Sequence, residues 1–482
     1  MSKKHIVFFV IFILCITLFT SCTILTAPVP SETEEQPHQP ELIYDEQAEE
    51  EYEPIHDYGQ RIFTVASYNE ELFLPSPESS PISDKILDRN KEVEKAFNIR
   101  IQPLENVTKA NFIYEINSRY NSGLPCGDIV CIPNYMLPLF VSQKSLMSIK
   151  ALPGIDLDAE CYNKKAIDSA TIGNFVHAMY GDITYMPDKS VCMFFNKDFV
   201  SQNELTSPYD MQKDGSWTWD AVIELAKQVK VDVNWNYKKD FTDIYGISSS
   251  YQDDTLTDIV WASCGNPYFS NTPPYMPKMN FNNEKTQIVI DKIRRLLYND
   301  VNKVYFSNTP DSDGEDLFIQ GRSLFCIAPL EKASAFSAAG INFGIMPLPE
   351  YEGGSGQYYS YVDSSAQAVC VLNNITDSDF TGTILQYIAE NSSFNNSDYY
   401  KKYYVTNFLT DNSSALMLDK IFANPYLDLS STLGEAYQEV GAASSDIIHA
   451  NLSTGAAFNT LYDLNNRQFE TFVKNNFTYK GE

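Results

Sequence analysis

Apolar and polar residues alternate with two different periods along residues 62–132. Short apolar runs are typical of buried strands, and the stretches between them repeat apolar residues at helical spacing. A chain that alternates strands with helices builds a parallel sheet covered by helices on both faces. The pattern therefore predicts an α/β fold. The predicted strands are 62–67, 99–102 and 128–132, and the predicted helices are 84–97 and 109–120.

The middle and the end of the chain are richer in helical patterns. Thr218 is a typical helix N-cap, because its hydroxyl accepts a hydrogen bond from the first turn. Val222, Leu225 and Val229 then recur on one helix face. No internal repeat is visible. Further strands are predicted at 245–248 and 343–348, further helices at 290–297 and 377–391, and the last eighty residues are mostly helical.

The folded part of the chain is too long for one hydrophobic core. Roughly 420 residues follow residue 60, whereas single cores stop growing beyond about 250–300 residues. The length therefore predicts two domains of ordinary size.

The N-terminus has the pattern of a secretory signal. Lys3 and Lys4 precede an apolar run of fourteen residues at 6–19. That run is short for a hydrocarbon core of about 30 Å but suits a signal peptide. Residues 18–22, Leu-Phe-Thr-Ser-Cys, resemble a bacterial lipobox, although the usual leucine three positions before the cysteine is a phenylalanine. We expect cleavage before Cys22 and its acylation, including palmitate, on the extracellular face of the membrane; an uncleaved anchor or a plain signal peptide is the alternative.

Residues 23–60 differ sharply in composition from the rest of the chain. They contain eleven acidic residues, five prolines and no lysine or arginine. Such a segment repels itself and has little apolar surface to bury. We expect a disordered acidic tether, and a specific partner for the acidic run is the alternative.

The net charge of −28 limits the classes of partner. Nucleic acid binding requires a basic field, and anionic lipid surfaces repel an acidic protein. We therefore expect no nucleic acid partner and no membrane contact beyond a lipid anchor. The cysteines of the folded part are odd in number, and none forms a Cys-x-x-Cys pair. Buried free thiols are the expectation.

Enzymatic and metal chemistry finds little support. His177 and His449 are the only histidines after residue 60, and neither belongs to a metal-spaced cluster. No Gly-x-Ser-x-Gly motif accompanies them. We expect no metal, no cofactor and no catalysis. A glycosidase-like pair of carboxylates stays open, because 63 acidic residues offer many pairs.

Five short motifs follow one another in a recognisable order. Together they resemble the family 1 extracellular solute-binding proteins of the maltose-binding-protein type. The motifs are Met193-Phe194-Phe195-Asn196-Lys197-Asp198, Trp217-Thr218-Trp219-Asp220 with Ala226-Lys227, Tyr245-Gly246-Ile247, Phe318-Ile319-Gln320-Gly321-Arg322, and Phe343-Gly344-Ile345-Met346-Pro347-Leu348-Pro349.

The resemblance implies a type II periplasmic-binding-protein-like fold of two α/β lobes joined by a hinge that the chain crosses three times. A solute would bind in the cleft between the lobes, and a monomer would deliver it to an ABC permease. A sugar is the expected solute, and a peptide binder or a sensor is the alternative. The expected N-terminal lobe is 62–188 plus 362–405, and the expected C-terminal lobe is 189–361 plus 406–482.

Candidate ligand contacts follow from the resemblance and from sugar chemistry. Aromatic faces cover the C–H side of a sugar ring, and carboxylates, amides and ammonium groups bind its hydroxyls. The candidates lie after predicted strands or along the hinge: Tyr68, Asn134, Tyr135, Tyr185, Lys189, Asp253, Trp261, Tyr361 and Asp363.

Some of these residues have a structural alternative. Lys189 and the neighbouring Asp188 could be solvated hinge charges, and Trp261 could be a buried helix residue. Trp217 and Trp219 open an amphipathic helix, so we expect them to pack rather than bind. The family often has a tryptophan soon after the Gly-Arg strand, but residues 328–331 read Ala-Pro-Leu-Glu here, which removes one expected stacking surface.

Overall fold

A computed structural model describes most of the chain after residue 52. The described residues are 53–69, 73–76, 82–184, 187–229, 232–238, 240–249, 251–280, 282–297, 314–428, 430–434 and 456–477. Several positions discussed above lie outside these ranges: the predicted signal segment with Cys22, most of the predicted tether, Tyr185 and His449. No helix within them has both the length and the apolar composition needed to cross a bilayer.

The strands confirm most of the predicted positions to within two residues at either end. They are β1 Arg61–Ser67, β2 Ile99–Pro103, β3 Ile129–Pro133, β4 Thr171–Ile172, β5 Phe175–Val176, β6 Val191–Asn196, β7 Tyr245–Ser249, β8 Phe269–Ser270, β9 Lys278–Met279, β10 Ser323–Pro329, β11 Phe343–Met346, β12 Ser360–Tyr361, β13 Gln367–Cys370 and β14 Pro425–Tyr426.

Helices separate and cover these strands. They are α1 Ser83–Phe97, α2 Phe112–Asn121, α3 Leu137–Ser142, α4 Lys164–Ser169, α5 Lys197–Gln202, α6 Pro208–Asp214, α7 Trp219–Ala226, α8 Asp253–Ser263, α9 Glu284–Leu297, α10 Gly314–Ile319, α11 Ala333–Ala338, α12 Ser378–Glu390, α13 Ser397–Asn407, α14 Asn412–Ala423, α15 Ser430–Leu433 and α16 Ala456–Phe477.

The first lobe is built on a four-stranded sheet of order β13-β3-β1-β2. Strands β2 and β3 both pair with β1 in parallel, as the alternation of strands and helices predicts. Strand β13 returns from far along the chain and pairs antiparallel to β3, with Gln367 opposite Pro133. The ends of β1 and β3 and the start of β13 therefore meet at one edge of the sheet.

The second lobe is built on a sheet of order β11-β6-β10-β7. Strand β6 is antiparallel to both of its neighbours, and β10 is parallel to β7. The Thr218 hydroxyl caps α7 by accepting a hydrogen bond from Ala221 N, which confirms the predicted start of this helix. Trp217 and Trp219 are fully buried, so the expectation that they pack is confirmed.

The two lobes meet at a hinge of extended segments. Ser190 forms an antiparallel bridge with Val362, and β12 pairs with β14 in parallel. Leu330 N, at the end of β10, donates to Ser190 O over 2.9 Å, which brings the second sheet against the hinge. The predicted α/β fold with two lobes and a multiply crossed hinge is thus confirmed.

The late part of the chain contacts elements of both sheets. Tyr400 and Tyr404 of α13 are buried in one apolar cluster with Phe194 of β6 and Leu418 of α14; the boundary predicted after residue 405 stays a prediction. Helix α15 packs against α3 of the first lobe. These contacts join segments distant in sequence, which local patterns do not reveal.

The predicted tether also ends earlier than residue 60. Ile55 N donates to Ala96 O over 2.7 Å, and Tyr58 N donates to Phe97 O over 3.0 Å. The Tyr58 ring lies 4.9 Å from that of Phe380. This segment is therefore anchored to the end of α1 and belongs to the folded body.

All seven cysteines of the folded body are free and buried, which confirms the expected thiols. His177 is buried as well, and its Nδ1 lies 3.0 Å from Ala170 O. Burial lowers the pKa of His177 to about 4, so the ring is neutral at pH 7. It therefore has a packing environment rather than a reactive one.

Candidate functional site

The edge where three strands of the first sheet meet carries the predicted residues Tyr68, Asn134 and Tyr135. Tyr68 N donates to Cys131 O over 2.9 Å, which holds the loop after β1 against β3. Asn134 N donates to Ala366 O over 2.9 Å, and Tyr135 N donates to Ser364 O over 3.2 Å. The hinge segment that enters β13 therefore fixes the backbone that carries both side chains.

A cavity of about 410 Å³ opens at this edge, between the first lobe, the hinge and the second lobe. We call it the cleft cavity. Its volume lies within the range of roughly 300–1,000 Å³ that is usual for ligand pockets. Its lining brings together Tyr68, Tyr135, Thr184, Asp188, Lys189, Glu331, Ser334, Gln367, Tyr399 and Tyr403, among others.

Two tyrosines form an aromatic corner in the cleft cavity. The rings of Tyr68 and Tyr135 are 6.5 Å apart and nearly perpendicular, at 88°. Phe112 supports Tyr68 edge-on from beneath at 5.7 Å. Tyr135 remains 51% exposed. Burial, followed by a side-chain hydrogen bond with Tyr68, raises the pKa of Tyr135 to about 12.

Charged groups stand at the hinge side of the same cavity. Lys189 Nζ lies 2.5 Å from Glu331 Oε2, and the pair joins the hinge to the turn after β10. Burial opposes the charge of Lys189, but the carboxylates of Asp188 and Glu331 outweigh it and raise its pKa. Glu331 stands in the segment where the family resemblance would place a tryptophan, so an ion pair takes the place of a stacking surface.

Asp188 carries a buried carboxyl oxygen at the hinge side of the cavity. Its Oδ1 is shielded from solvent and has no hydrogen-bond partner among the described residues. Burial raises the pKa of Asp188 to about 7, with Lys189 opposing and Glu331 adding to the shift. A ligand donor reaching this carboxyl would satisfy an otherwise unpaired acceptor.

A second cavity of about 760 Å³ adjoins the first across Tyr135. It is lined by two further predicted residues, Asn134 and Tyr361. Asn134 is buried and its Oδ1 accepts a 2.8 Å hydrogen bond from the Tyr180 hydroxyl. Its Nδ2 has no partner within the described segments. Asn134 therefore retains an amide donor for a ligand or a water.

Two further candidates take structural positions. Asp363 accepts hydrogen bonds from the Tyr251 hydroxyl at 2.6 Å and from Ser365 N at 2.8 Å, and its own N–H donates to Lys189 O at 2.9 Å. These bonds hold the hinge segments that carry Asp363 and Lys189 against each other. Trp261 is 1% exposed in α8 and stacks on Tyr268 at 4.7 Å. Neither Asp363 nor Trp261 is among the described residues that line the two cavities.

Asp253 begins α8, at the end of the loop that follows β7. Tyr185 falls outside the described residues. For both, a ligand contact stays a prediction.

Comparison with known proteins identifies the family. The family model described as bacterial extracellular solute-binding protein matches residues 91–425, well over half of the 482 residues. The chain belongs to this family. The resemblance predicted from the five motifs is thereby confirmed. No curated protein matches the sequence at a significant level.

Solved structures share the fold of this solute-binding protein at low sequence identity. A cyclo/maltodextrin-binding protein solved with maltotetraose matches with a TM-score of 0.57 and 13% identity, covering 88% of this chain and 99% of its own. The cyclic α-maltosyl-1,6-maltose-binding protein of Arthrobacter globiformis has a TM-score of 0.57 and 12% identity, covering 86% and 100%. A solute-binding protein of Thermotoga lettingae bound to α-D-tagatose has a TM-score of 0.52 and 11% identity, covering 86% and 100%.

Sequence patterns alone do not place every residue of the cleft of this solute-binding protein. Glu331 and the tyrosines of α13 line the cavity without being among the candidates predicted from the sequence. The repeat Tyr-Tyr-Lys-Lys-Tyr-Tyr at 399–404 is the signal that could have found them, because it places two tyrosine pairs one helical turn apart.

Proposed function

We propose that this protein captures a saccharide in the cleft cavity and delivers it, unaltered, to an ABC importer. One observation carries the proposal. The cavity between the lobes combines the Tyr68 and Tyr135 rings with the polar groups of Asp188, Lys189 and Glu331. Aromatic faces and convergent polar groups are what a sugar ring requires. The sugars bound by structurally similar proteins, maltotetraose and α-D-tagatose, support the same class of solute.

The hinge supplies the mechanism of capture. Tyr68 and Tyr135 belong to the first lobe, whereas Glu331 and Ser334 belong to the second, and all four line one cavity. A solute that contacts both sides stabilises the closed form relative to the open form. Part of the affinity then comes from contacts that exist only after closure, and reopening releases the solute.

Replacing Tyr135 with alanine should weaken saccharide binding by about tenfold to a hundredfold, because it removes one wall of the aromatic corner. A thermal-shift screen over sugars and short peptides first finds the solute, since a ligand at a hundred times its dissociation constant stabilises by about 2.7 kcal/mol. Calorimetric titration of the wild type and the variant with that solute then measures the loss.

Tyr114→Ala is the matched control, because Tyr114 is 73% exposed on α2 and is not among the residues lining either cavity. Its affinity should equal that of the wild type. Stabilisation by peptides alone would contradict a saccharide ligand. Chromatography of the solute after incubation tests delivery without chemistry, and any conversion by the purified protein would contradict it.

We further propose that Cys22 carries the lipid anchor. The lipobox-like residues 18–22 support it, and the acidic segment that follows would keep the folded body in solution above the membrane. In a bacterial host, the full chain should fractionate with membranes, and Cys22→Ser should move most of it to the soluble fraction. Cys126→Ser, in the folded body, should leave the distribution unchanged. Membrane retention of Cys22→Ser would contradict acylation at this residue.

A further inference from the structure

The second cavity, of about 760 Å³, is larger than the cleft cavity and has a different kind of wall. Helix α3 contributes Leu139, the hinge contributes Val362, and the late helices α15 and α16 contribute Leu433 and Phe472. We call it the apolar cavity. Its volume is within the range usual for ligand pockets, and walls of this kind suit an apolar group.

Polar side chains in the wall of the apolar cavity are engaged within the protein. Thr432 Oγ1 donates to Ser169 O over 3.1 Å, and Asn476 Nδ2 donates to Phe472 O over 3.0 Å. These donors are therefore not open to a ligand. A second sugar ring requires partners for several hydroxyl groups, whereas an alkyl or aryl group requires none. The wall thus favours a hydrocarbon group over a sugar.

Asn134 has the opposite character and stands in the same wall. Its side chain is buried at 1% exposure. Its Oδ1 accepts a hydrogen bond from the Tyr180 hydroxyl, but its Nδ2 has no partner among the described residues. A buried donor left unpaired is costly, so an oxygen acceptor brought to this point gains a hydrogen bond. The apolar cavity therefore suits a hydrocarbon group that begins at an oxygen atom.

The apolar cavity and the cleft cavity meet along two short segments of chain. Tyr135 lines both cavities, and Asn134 directly precedes it. Ser364 lines the apolar cavity and the next residue, Ser365, lines the cleft cavity. A group attached to a sugar that rests against Tyr135 therefore has a short path past Asn134 into the apolar cavity.

We infer that the apolar cavity binds the aglycone of a glycoside whose sugar occupies the cleft cavity, with the glycosidic oxygen accepting a hydrogen bond from Asn134 Nδ2. The inference rests on the proposed function and narrows it from a saccharide to a glycoside with an alkyl or aryl aglycone. Burial of the aglycone adds affinity that the sugar alone does not supply, because apolar surface leaves water.

The test measures affinity against the length of an alkyl aglycone. Methyl, propyl and hexyl glycosides of D-glucose, D-galactose, D-mannose and D-xylose, as both anomers and with the free sugars, are titrated calorimetrically into the wild type. For the sugar that binds, affinity should rise by roughly threefold to fourfold with each added methylene. 1-Hexanol, which carries the chain without a sugar, should bind far more weakly than the hexyl glycoside.

Two variants alter the apolar cavity from different sides. Leu139→Trp fills it from α3, and Phe472→Ser removes an apolar wall from α16; both side chains are only partly buried. In each variant the ratio of hexyl to methyl affinity should fall towards one. Leu416→Trp is the matched control, because Leu416 is 60% exposed on α14 and is not among the residues lining either cavity. It should keep the wild-type ratio. Equal thermal melting of the unliganded proteins shows that the variants are folded.

The outcomes separate the two claims. If methyl and hexyl glycosides bind the wild type equally, the aglycone site is wrong while saccharide capture stands. If Leu139→Trp and Phe472→Ser both keep the wild-type ratio, or if 1-hexanol binds as tightly as the hexyl glycoside, the alkyl chain binds independently of this arrangement and the inference is again wrong. If neither a free sugar nor a glycoside binds, both claims fail.

Discussion

Replacing Trp217 with alanine should lower the free energy of unfolding by about 3–5 kcal/mol, the cost of removing a large buried ring and leaving a cavity. Trp217 is fully buried at the start of α7. Its Nε1 donates to Pro347 O over 2.9 Å, and its ring lies 5.9 Å from that of Phe325. The variant therefore loses a hydrogen bond and the packing of α7 on the second sheet together. Urea unfolding followed by far-UV circular dichroism measures the loss without relying on tryptophan fluorescence.

Trp235→Ala is the matched control, because Trp235 is 78% exposed. The substitution removes the same side chain, but from the surface. Its free energy of unfolding should change by no more than about 0.5 kcal/mol. If the two variants unfold at the same urea concentration, the packing role assigned to Trp217 is wrong.

The elements that could be predicted from the sequence are those set by local chemistry. Strand β1 and helix α1 lie where the short apolar run and the helical spacing place them. Thr218 caps α7 through its own hydroxyl, a contact within a single turn. Such features depend on neighbours in the chain, so one sequence is enough to locate them.

The remaining features depend on residues that meet only in the folded protein. Gln367 reaches the cleft because β13 pairs with β3 from far along the chain. Glu331 reaches Lys189 because the end of β10 docks on the hinge. Trp261 is buried in the core, with its ring stacked on Tyr268. The sequence can therefore predict that positions after a strand lie near the site. It cannot predict which of their side chains face the cavity.

The same reasoning explains why the predicted hinge residues divide into two kinds. Lys189 and Asp188 face the cleft cavity, whereas Asp363 is held by Tyr251 and Ser365. Asp363 also donates its N–H to Lys189 O, so it fixes the backbone of a residue that lines the cleft cavity. A polar hinge residue can thus position a neighbour that lines the cavity without lining it itself.

Replacing Asp188 with asparagine should remove a fall in stability that the wild type shows as pH rises. Burial raises the folded-state pKa of Asp188 to about 7 from its ordinary value of 3.8. The folded protein therefore holds this proton more tightly than the unfolded chain, and stability falls between roughly pH 4 and pH 7 and then levels off. The stability of the variant relative to the wild type should grow over that window by roughly 2–4 kcal/mol. Urea unfolding at a series of pH values measures this difference.

The groups around Asp188 set the size of the effect but not its sign. Lys189 favours the ionised form, whereas burial and Glu331 disfavour it, and Tyr404 of α13 faces the same carboxylates. Asp182→Asn is the comparison variant, because burial raises the pKa of Asp182 to about 6. Its difference from the wild type should have the same sign but be complete near pH 6. Subtracting the wild-type free energy of unfolding from that of each variant cancels the titration of groups that the two proteins share. If this difference stays constant from pH 4 to pH 7, the pKa of Asp188 is not raised in the folded protein and the prediction is wrong.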